Sequence, residues 1–419
     1  MFKLVKQLFS KSNKDLRKRI LITLIGLGVF CLGTNITIPW AKTIYEELGF
    51  LEIFNLMSGG GLKQFSIFAL GVSPYITASI ITQLLQMDIL PYFKELKEQG
   101  YTGRQKINRI TRYLGIVFAF AQSYAFTIFY MGNTDVLVML KTSLVMTAGT
   151  ALLLWIGDEI TNKGIGNGQS LMIMAGIIQS TPAMFKTAFA SFVTASKYST
   201  IVGSLLFALF IIIYLVVIIG IVWIELAERR IPIQYANHTT SAYGGRQNFL
   251  PVKINSAGVM PVIFASIIVT IPVTVAQFAK KQAIIDFMQK WISNTSITGF
   301  ILYIALIFFF GYFYTYLSMN PEEMSKNLNE SGGYIPGVRP GTDTSSYITK
   351  ILGRLTVVGS LFLSILAGLP IVYGAIFKLP QSVTLGGTGL LIVVGVAIET
   401  YKQIESNLVS KNYTKKRVR

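Results

Sequence analysis

The apolar stretch IFNLMSGGGLKQFSIFALGVSPYITASIITQLL, residues 53–85, cannot be a single continuous helix. Three consecutive glycines, Gly59–Gly61, disfavour helix because their backbone loses the most entropy on ordering. Pro74 restricts the residue before it and suits the first turn of a new helix. We therefore expect a short segment ending near Leu70, followed by a helix from Pro74 to about Met87.

A broken backbone in so apolar a segment constrains the rest of the chain. Irregular backbone at membrane depth is tolerated only inside protein or beside a water-filled cavity. Residues 53–85 therefore predict a cavity or pore around which the other segments are arranged. The alternative is a re-entrant surface loop, since three glycines also make an ordinary connector.

Composition places the chain in a membrane. Of its 419 residues 52% are hydrophobic and 13% are charged, against about 25% charged in soluble domains. The single cysteine excludes an internal disulfide, and the single histidine excludes a multi-histidine metal site. The first apolar run is too long for a signal peptide and lacks a small-residue cleavage site.

Ten segments have the length and apolar character of spanning helices, which need about 20 apolar residues. They lie at 20–39, 74–90, 110–131, 136–157, 168–188, 201–224, 256–278, 298–319, 353–376 and 384–401. The second is short and the fifth contains Gly176, so these two are the weakest. With a cytoplasmic N-terminus, about three quarters of the 37 lysines and arginines fall in cytoplasmic segments, as the positive-inside rule requires. Much of the net charge of +18 is then a topology signal, which weakens any argument for nucleic-acid binding.

Dividing the chain at the external stretch 194–200 leaves five spans in each part, 20–193 and 201–404. An odd number reverses the orientation of the second half, which permits an inverted repeat meeting at the midplane. The two halves show no convincing sequence similarity, so the repeat is a hypothesis from span counting. The predicted fold is an all-α polytopic membrane protein with ten helices in two inverted halves around a central pore.

The predicted cytoplasmic segments are an N-terminal arm, two long loops and a tail. The arm, 1–19, is basic and amphipathic, which suits an anionic lipid surface, and the tail, 405–419, is also basic. Loop 225–253 contains alternating apolar residues typical of a hairpin strand, closing near Gly244–Gly245. Loop 320–352 begins with a Pro-initiated helix and reaches a turn-rich tip. Loops this long are usually binding loops, although their cations also fit solvated topology signals.

The spans are almost free of ionisable residues away from their cytoplasmic ends. Ion-coupled carriers keep such groups at mid-membrane, so a secondary transporter of a small solute is the weaker alternative. No motif for intramembrane hydrolysis is present, and GIGNG at 164–168 lacks the lysine and preceding strand of a phosphate loop. We therefore expect no enzyme activity, metal or cofactor.

Several motifs, in order along nearly the whole chain, resemble the SecY family, the pore-forming subunit of the bacterial protein translocase. They are residues 53–85, TGRQKINRITRY (102–113), LWIGDEITNKGIGNGQS (154–170), ERRIPIQYA (228–236), LPVKINSAGVMPVIFAS (250–266), NPEEMSKNLNESGGYIPGVRPGTDTSSYI (320–348) and GGTGLLIVVGVAIE (386–399). The resemblance implies a channel for secretory polypeptides in the bacterial cytoplasmic membrane, with both termini cytoplasmic.

The resemblance also assigns the two parts of the channel's seal. A plug segment, about residues 54–66, would close the external funnel; its matching residues are Asn55, Ser58, Gly59, Gly60, Gly61 and Phe65. An aliphatic ring would constrict the midplane; its members are Val72, Ile76, Ile173, Ile177, Ile263 and Ile392, the last matching least securely. Taken singly, each aliphatic residue fits ordinary helix packing equally well.

Further residues match positions for a lateral gate and for partners. Gln83 and Gln122 match polar positions of the gate helices, through which signal peptides would reach lipid. Arg229, Arg230 and Arg339 match loop positions that contact the SecA ATPase or the ribosome, where cations favour RNA phosphates. The resemblance also implies SecE and SecG-like small membrane subunits.

One position departs from the family. Many relatives have an arginine in the first span within Phe-Arg-x-Gly, whereas this chain reads Phe30-Cys31-Leu32-Gly33. Cys31 cannot make that arginine's polar contacts, which leaves open an accessory paralogue for particular substrates. The full-length cytoplasmic loops favour the general subunit instead.

Overall fold

The computed structural model describes residues 14–41, 44, 52–86, 90–131, 135–194, 199–235, 248–278, 287, 291–292 and 296–417. Most of the N-terminal arm, the centre of the 194–200 stretch and the Gly244–Gly245 turn lie outside the described residues, as do the last two residues of the tail.

The described chain is predominantly helical, with one small sheet. Its helices are α1 (Lys14–Gly33), α2 (Glu52–Met57), α3 (Ser73–Leu85), α4 (Pro91–Glu98), α5 (Tyr101–Tyr130), α6 (Val136–Lys163), α7 (Gly168–Phe189), α8 (Thr200–Leu226), α9 (Met260–Phe278), α10 (Ile297–Ser318), α11 (Pro321–Glu330), α12 (Thr342–Phe377) and α13 (Gln381–Arg417). Its strands are β1 (Glu228–Tyr235), β2 (Asn248–Lys253) and β3 (Gly333–Tyr334). Among the described residues, six helices have the length and composition to cross a membrane: α5, α6, α8, α10, α12 and α13.

Each of the ten apolar segments coincides with a helix, but several helices extend beyond the apolar run. The third begins at Tyr101 rather than 110, the ninth at Thr342 rather than 353, and the tenth continues to Arg417. The first helix is shifted towards the N-terminus: it begins at Lys14, before its apolar run, and ends at Gly33, so residues 34–39 are not helical. Charged residues can continue a helix past an apolar segment, so hydropathy alone does not mark helix ends.

The starts of α7 and α3 follow local sequence. The Asn167 side chain caps α7 by accepting hydrogen bonds from the backbone of Gln169 at 3.1 Å and Ser170 at 3.4 Å. This is the tight turn expected of GIGNG. Pro74 occupies the first turn of α3, where its missing amide hydrogen costs nothing.

The sheet joins the two long loops into one folded unit. β1 pairs antiparallel with β2 over Glu228–Ile233, as the predicted hairpin requires, and its end pairs with β3 through Gln234 and Tyr235. Ile231 and Ile233 pack with apolar residues of α11 and the start of α12. We call this end of the molecule the sheet face. The contact between the loops was not foreseen from sequence, because two-residue β3 has no strand pattern.

A large apolar cluster fills the centre of the helices. It draws buried residues from α3, α6, α7, α9, α10, α12 and α13. Glycines permit the closest approaches between segments: a Cβ at Gly149 in α6 would overlap the carbonyl oxygen of Ile67. The non-helical chain after α2 is thereby fixed against α6.

Replacing Gly149 with Val tests this contact. The added side chain meets backbone at Ile67, which cannot move aside cheaply, so we expect a loss of about 1–3 kcal/mol in stability. Thermal unfolding of the purified protein in detergent measures it.

The matched control is Gly28→Ala in α1, where a Cβ meets nothing within 4 Å. It should leave the unfolding temperature unchanged or slightly higher, because alanine favours helix. Equal effects of the two substitutions would contradict the close contact.

Candidate functional site

The six residues of the aliphatic ring are all buried in the central cluster. Val72 and Ile76 lie at the start of α3, Ile173 and Ile177 on α7, Ile263 on α9 and Ile392 on α13. Four separate segments therefore bring these side chains to the same region of the molecule. The spacing of Ile173 and Ile177 places them on one face of α7.

Two cavities meet at this cluster. The larger, of about 460 Å³, opens towards the sheet face and is lined by ring residues Ile76, Ile173, Ile263 and Ile392. The smaller, of about 20 Å³, lies against α2 and is lined by ring residues Ile177, Ile263 and Ile392. Ile263 and Ile392 border both cavities and therefore lie between them.

The larger cavity has a polar wall near the sheet face. Glu225, Lys253, Asn255 and Glu399 all line it. Asn255 donates hydrogen bonds to the Glu225 carboxylate at 2.7 Å and to the Gly258 carbonyl at 2.9 Å. These contacts hold the link from β2 to α9 beside the cavity. Asn255 was not singled out from sequence, although it lies within the matching stretch 250–266.

The plug segment is a short helix followed by irregular backbone. Asn55, Ser58 and Phe65 are each at most 5% exposed. Gly59 and Gly60 have φ values of 69° and 85°, a left-handed conformation that glycine adopts without strain. Gly61 completes the turn, its carbonyl accepting from the Ser66 amide at 3.0 Å. The two-piece prediction for residues 53–85 is thus confirmed.

The plug segment sits directly on α7. A Cβ at Gly176 would overlap the carbonyl oxygen of Met57, and a Cβ at Gly59 would lie 2.8 Å from the Gln179 amide oxygen. Ser180 donates to the Leu56 carbonyl at 3.3 Å. In the sequence, Gly176 made the prediction of the fifth span less secure. In the structure, its missing side chain permits the backbone of α7 to contact the Met57 carbonyl. We call Gly176, Gln179 and Ser180 the plug seat.

The two gate glutamines lie on neighbouring helices, Gln83 on α3 and Gln122 on α5, but at different levels. The Gln83 amide nitrogen donates to Ser79 of its own helix at 3.0 Å. The bond between α3 and α5 is made instead by the hydroxyls of Thr82 and Thr111, 2.9 Å apart. Gln122 is eleven residues beyond Thr111, roughly 16 Å along the helix axis.

A seam separates the helix pair α3/α5 from the pair α9/α10. Each pair packs closely within itself, whereas α5 touches α9 only briefly. A cavity of about 360 Å³ occupies the seam, lined by Gln83 and Thr82 of α3, Thr111 of α5 and Tyr314 of α10. The two helix pairs therefore meet along a loosely packed boundary.

The three candidate partner residues are exposed on the sheet face. Arg229 and Arg230 lie on β1, and Arg230 forms an ion pair with Glu228 at 3.1 Å. The carbonyl of Arg339 accepts from the Thr344 hydroxyl at 2.8 Å, which fixes the backbone before α12. Because β3 pairs with β1, these cations belong to one folded unit.

Cys31 is half-buried near the end of α1, where its carbonyl accepts from Thr34 at 2.9 Å and from Asn35 at 2.7 Å. Its neighbour Phe30 is fully buried and stacks on Phe68 at 6.5 Å between ring centroids. The turn after α1 is therefore held by backbone acceptors and aromatic packing.

Comparison of the sequence with known proteins identifies its family. The sequence model of the SecY family matches residues 66–401. Protein translocase subunit SecY of Bacillus subtilis (strain 168) is 44% identical, covering 99% of each chain.

Solved structures show the same fold at low sequence identity. One, described as a protein conducting channel, superposes with a TM-score of 0.69 at 18% identity, covering 94% of this chain and 93% of its own. A second, reported for the plug domain of a SecY protein that stabilises the closed state, gives 0.67 at 20% identity over the same shares. With its broken apolar stretch, its apolar helices and relatives that match it over nearly their full length, this chain is a multi-pass membrane protein that belongs to the SecY family.

Proposed function

We propose that this chain is the pore-forming subunit of a protein-conducting channel that passes unfolded secretory polypeptides across a membrane. The observation that carries the proposal is the pair of cavities bordered by Ile263 and Ile392. A wide polar vestibule, a narrow aliphatic waist and a plug beyond it form a path that is closed at rest.

An aliphatic ring suits a polypeptide substrate. A translocating chain presents every kind of side chain, so its seal must be apolar, deformable and unselective. Narrow apolar constrictions also lose water and thereby exclude ions. In this proposal the ring closes around the passing chain, and the plug segment blocks the path when the channel is empty.

The seam between α3/α5 and α9/α10 is the proposed lateral gate. Opening there would let signal peptides and membrane segments pass sideways into lipid. Gln83 lines the seam cavity, while Gln122 lies further along α5. Polar contacts between such helices are worth about 1 kcal/mol or less each, so the gate can open at small cost.

We further propose ten membrane crossings in two inverted halves, with both termini and the sheet face cytoplasmic in a bacterial inner membrane. Six helices meet the length and hydropathy needed, and the other four crossings are α1, α3, α7 and α9. The positive-inside bias supports this orientation.

The sequence carries no recognised nucleotide-binding motif, so the energy for transport would come from a partner. Arg229, Arg230 and Arg339 would engage the SecA ATPase or the ribosome. SecE and SecG-like subunits would complete the membrane complex, and the basic N-terminal arm would contact anionic lipid.

Replacing Ile263 with Asn tests the ring. A polar amide at the waist should hold water there, so the resting ion conductance of the reconstituted channel should rise several-fold. Export of substrates with defective signal peptides should also become more permissive.

Ile178→Asn is the control for this substitution. Ile178 lies on α7 next to ring residue Ile177 but is 50% exposed on the outer surface. Its resting conductance should match the wild type. A tight Ile263→Asn channel, or equal leak in both variants, would argue against the ring.

Charge reversal at Arg339 tests the partner surface. Arg339→Glu should lower SecA-driven export several-fold, because it replaces an exposed cation on the proposed docking surface with an anion. Transport into inverted membrane vesicles measures this effect.

Lys378→Glu is the matched control, because Lys378 is exposed at the opposite end of α12. It should export at the wild-type rate, and both variants should accumulate normally in the membrane. Wild-type export by Arg339→Glu would remove Arg339 from the partner surface.

A further inference from the structure

We propose that Glu52 and Lys63 form a latch across the glycines of the plug segment and hold α2 on its seat. This inference rests on the proposed role of the plug segment as a seal. It assigns a positioning role to two charged residues that the family resemblance did not single out.

The chain after the glycines is fixed to the body of the protein. The Ile44 amide donates to the Lys63 carbonyl at 2.8 Å, and the Ile38 amide donates to the Phe65 carbonyl at 3.0 Å. Leu62 and Phe65 are each 1% exposed in an apolar cluster with residues of α5 and α6. Residues 62–67 are therefore an anchored arm.

The chain before the glycines is held differently. Helix α2 rests on the plug seat through the Leu56 and Met57 carbonyls, and its apolar side chains cover the smaller cavity. To open the path, α2 has to leave this position while the anchored arm stays in place.

Gly59–Gly61 are the natural hinge between these two parts. Gly59 and Gly60 already have positive φ, and a Cβ at Gly60 would meet nothing within 4 Å. Rotation about these residues is sterically inexpensive. It would carry α2 away from both the seat and the anchored arm.

Glu52 and Lys63 lie on opposite sides of this hinge and meet in the closed structure. The Lys63 ammonium is 3.2 Å from one Glu52 carboxylate oxygen and 3.5 Å from the other. The Glu52 side chain is only 6% exposed, whereas that of Lys63 is 34% exposed. The ion pair is thus largely removed from water on the carboxylate side.

Asn55 adds two hydrogen bonds to the latch. Its amide nitrogen donates to Glu52 at 3.1 Å, and its amide oxygen accepts from the backbone of Lys63 at 3.2 Å. Asn55 is 5% exposed. The charge pair and the hydrogen bond from the Lys63 amide to Asn55 must both break when α2 swings about the glycines, whereas the bond from Asn55 to Glu52 lies within α2.

The latch predicts an asymmetric response to mutation. Removing the lysine leaves a buried carboxylate without its cation, which is costly, whereas removing both charges leaves no unpaired ion. Lys63→Gln should therefore release α2 more readily than the double variant Glu52→Gln/Lys63→Gln. Lys63→Arg keeps the charge and should keep the latch.

The experiment measures resting conductance of the channel complex in planar bilayers for the wild type, Glu52→Gln, Lys63→Gln, the double variant and Lys63→Arg. We expect Lys63→Gln to leak several-fold above wild type, the double variant to leak less than Lys63→Gln, and Lys63→Arg to remain tight. Such non-additivity is the signature of a direct interaction. Additive effects, or a tight Lys63→Gln channel, would overturn the latch.

Gly176→Leu separates the latch from the function on which it depends. It disturbs the seat without altering either charge, so it should leak if the plug segment seals the path at all. If Gly176→Leu conducts ions at rest and Lys63→Gln does not, the latch is rejected but the plug segment still seals the path. If none of these variants conducts above the wild type, the sealing role of the plug segment is rejected.

The latch can still be tested if the Lys63→Gln variant fails to fold. If Lys63→Gln does not accumulate, the double variant lacks the latch without a buried unpaired charge. Conductance above wild type in the double variant supports the latch, and wild-type conductance overturns it.

Discussion

The structure depends on how irregular backbone is satisfied inside an apolar molecule. Residues 58–72 are not helical, yet buried backbone N–H and C=O groups cannot go unpaired without large cost. Many of these backbone groups are paired in local turns, such as the Gly60 amide with the Asn55 carbonyl at 2.8 Å, or with the segment after α1, as the Ile67 amide with the Ile36 carbonyl at 3.0 Å. Glycines at 149 and 176 let α6 and α7 approach this backbone directly. The irregular backbone that follows Gly61 thus becomes a fixed part of the core.

In the proposed mechanism, this arrangement lets one region both seal the path and move aside. The anchored arm has hydrogen bonds and apolar burial on several sides, whereas α2 is held by a seat, a cavity wall and an ion pair across glycines. The aliphatic residues beside α2 impose no fixed hydrogen-bond pattern. A polypeptide could replace α2 beneath them without leaving buried polar groups of the ring unpaired.

Much of the fold was predictable because hydropathy and turn residues are local signals. Each of the ten apolar segments overlaps a helix, and six of those helices are long and apolar enough to cross a membrane. The break at Gly59–Gly61 and the strand alternation of Ile231 and Ile233 also appear in the structure. Helix ends were less predictable: α12 begins eleven residues before its apolar run because polar residues can continue a helix. The pairing of β3 with β1 joins residues about a hundred positions apart in sequence. A strand of two residues is also too short to show the alternation of apolar and polar residues that predicts a strand.

Some features of the candidate site were likewise predictable from sequence and others were not. Residue type and family resemblance selected the ring members, and the structure buries all six in one cluster. The plug seat at Gly176 and the pairing of Glu52 with Lys63 could not be read from sequence, because each depends on which segments approach one another. Gln83 shows the limit of prediction from sequence: it lies on the predicted helix, but its neighbour Thr82 makes the side-chain hydrogen bond with α5.

The most direct test of the central claim is site-specific photocrosslinking to an export substrate arrested midway through the membrane. A photoreactive residue at position 263 or 392 should form adducts with the substrate, and one at position 178 on the outer surface should not. Adducts at 178 with none at 263 or 392 would contradict a polypeptide path through the aliphatic ring.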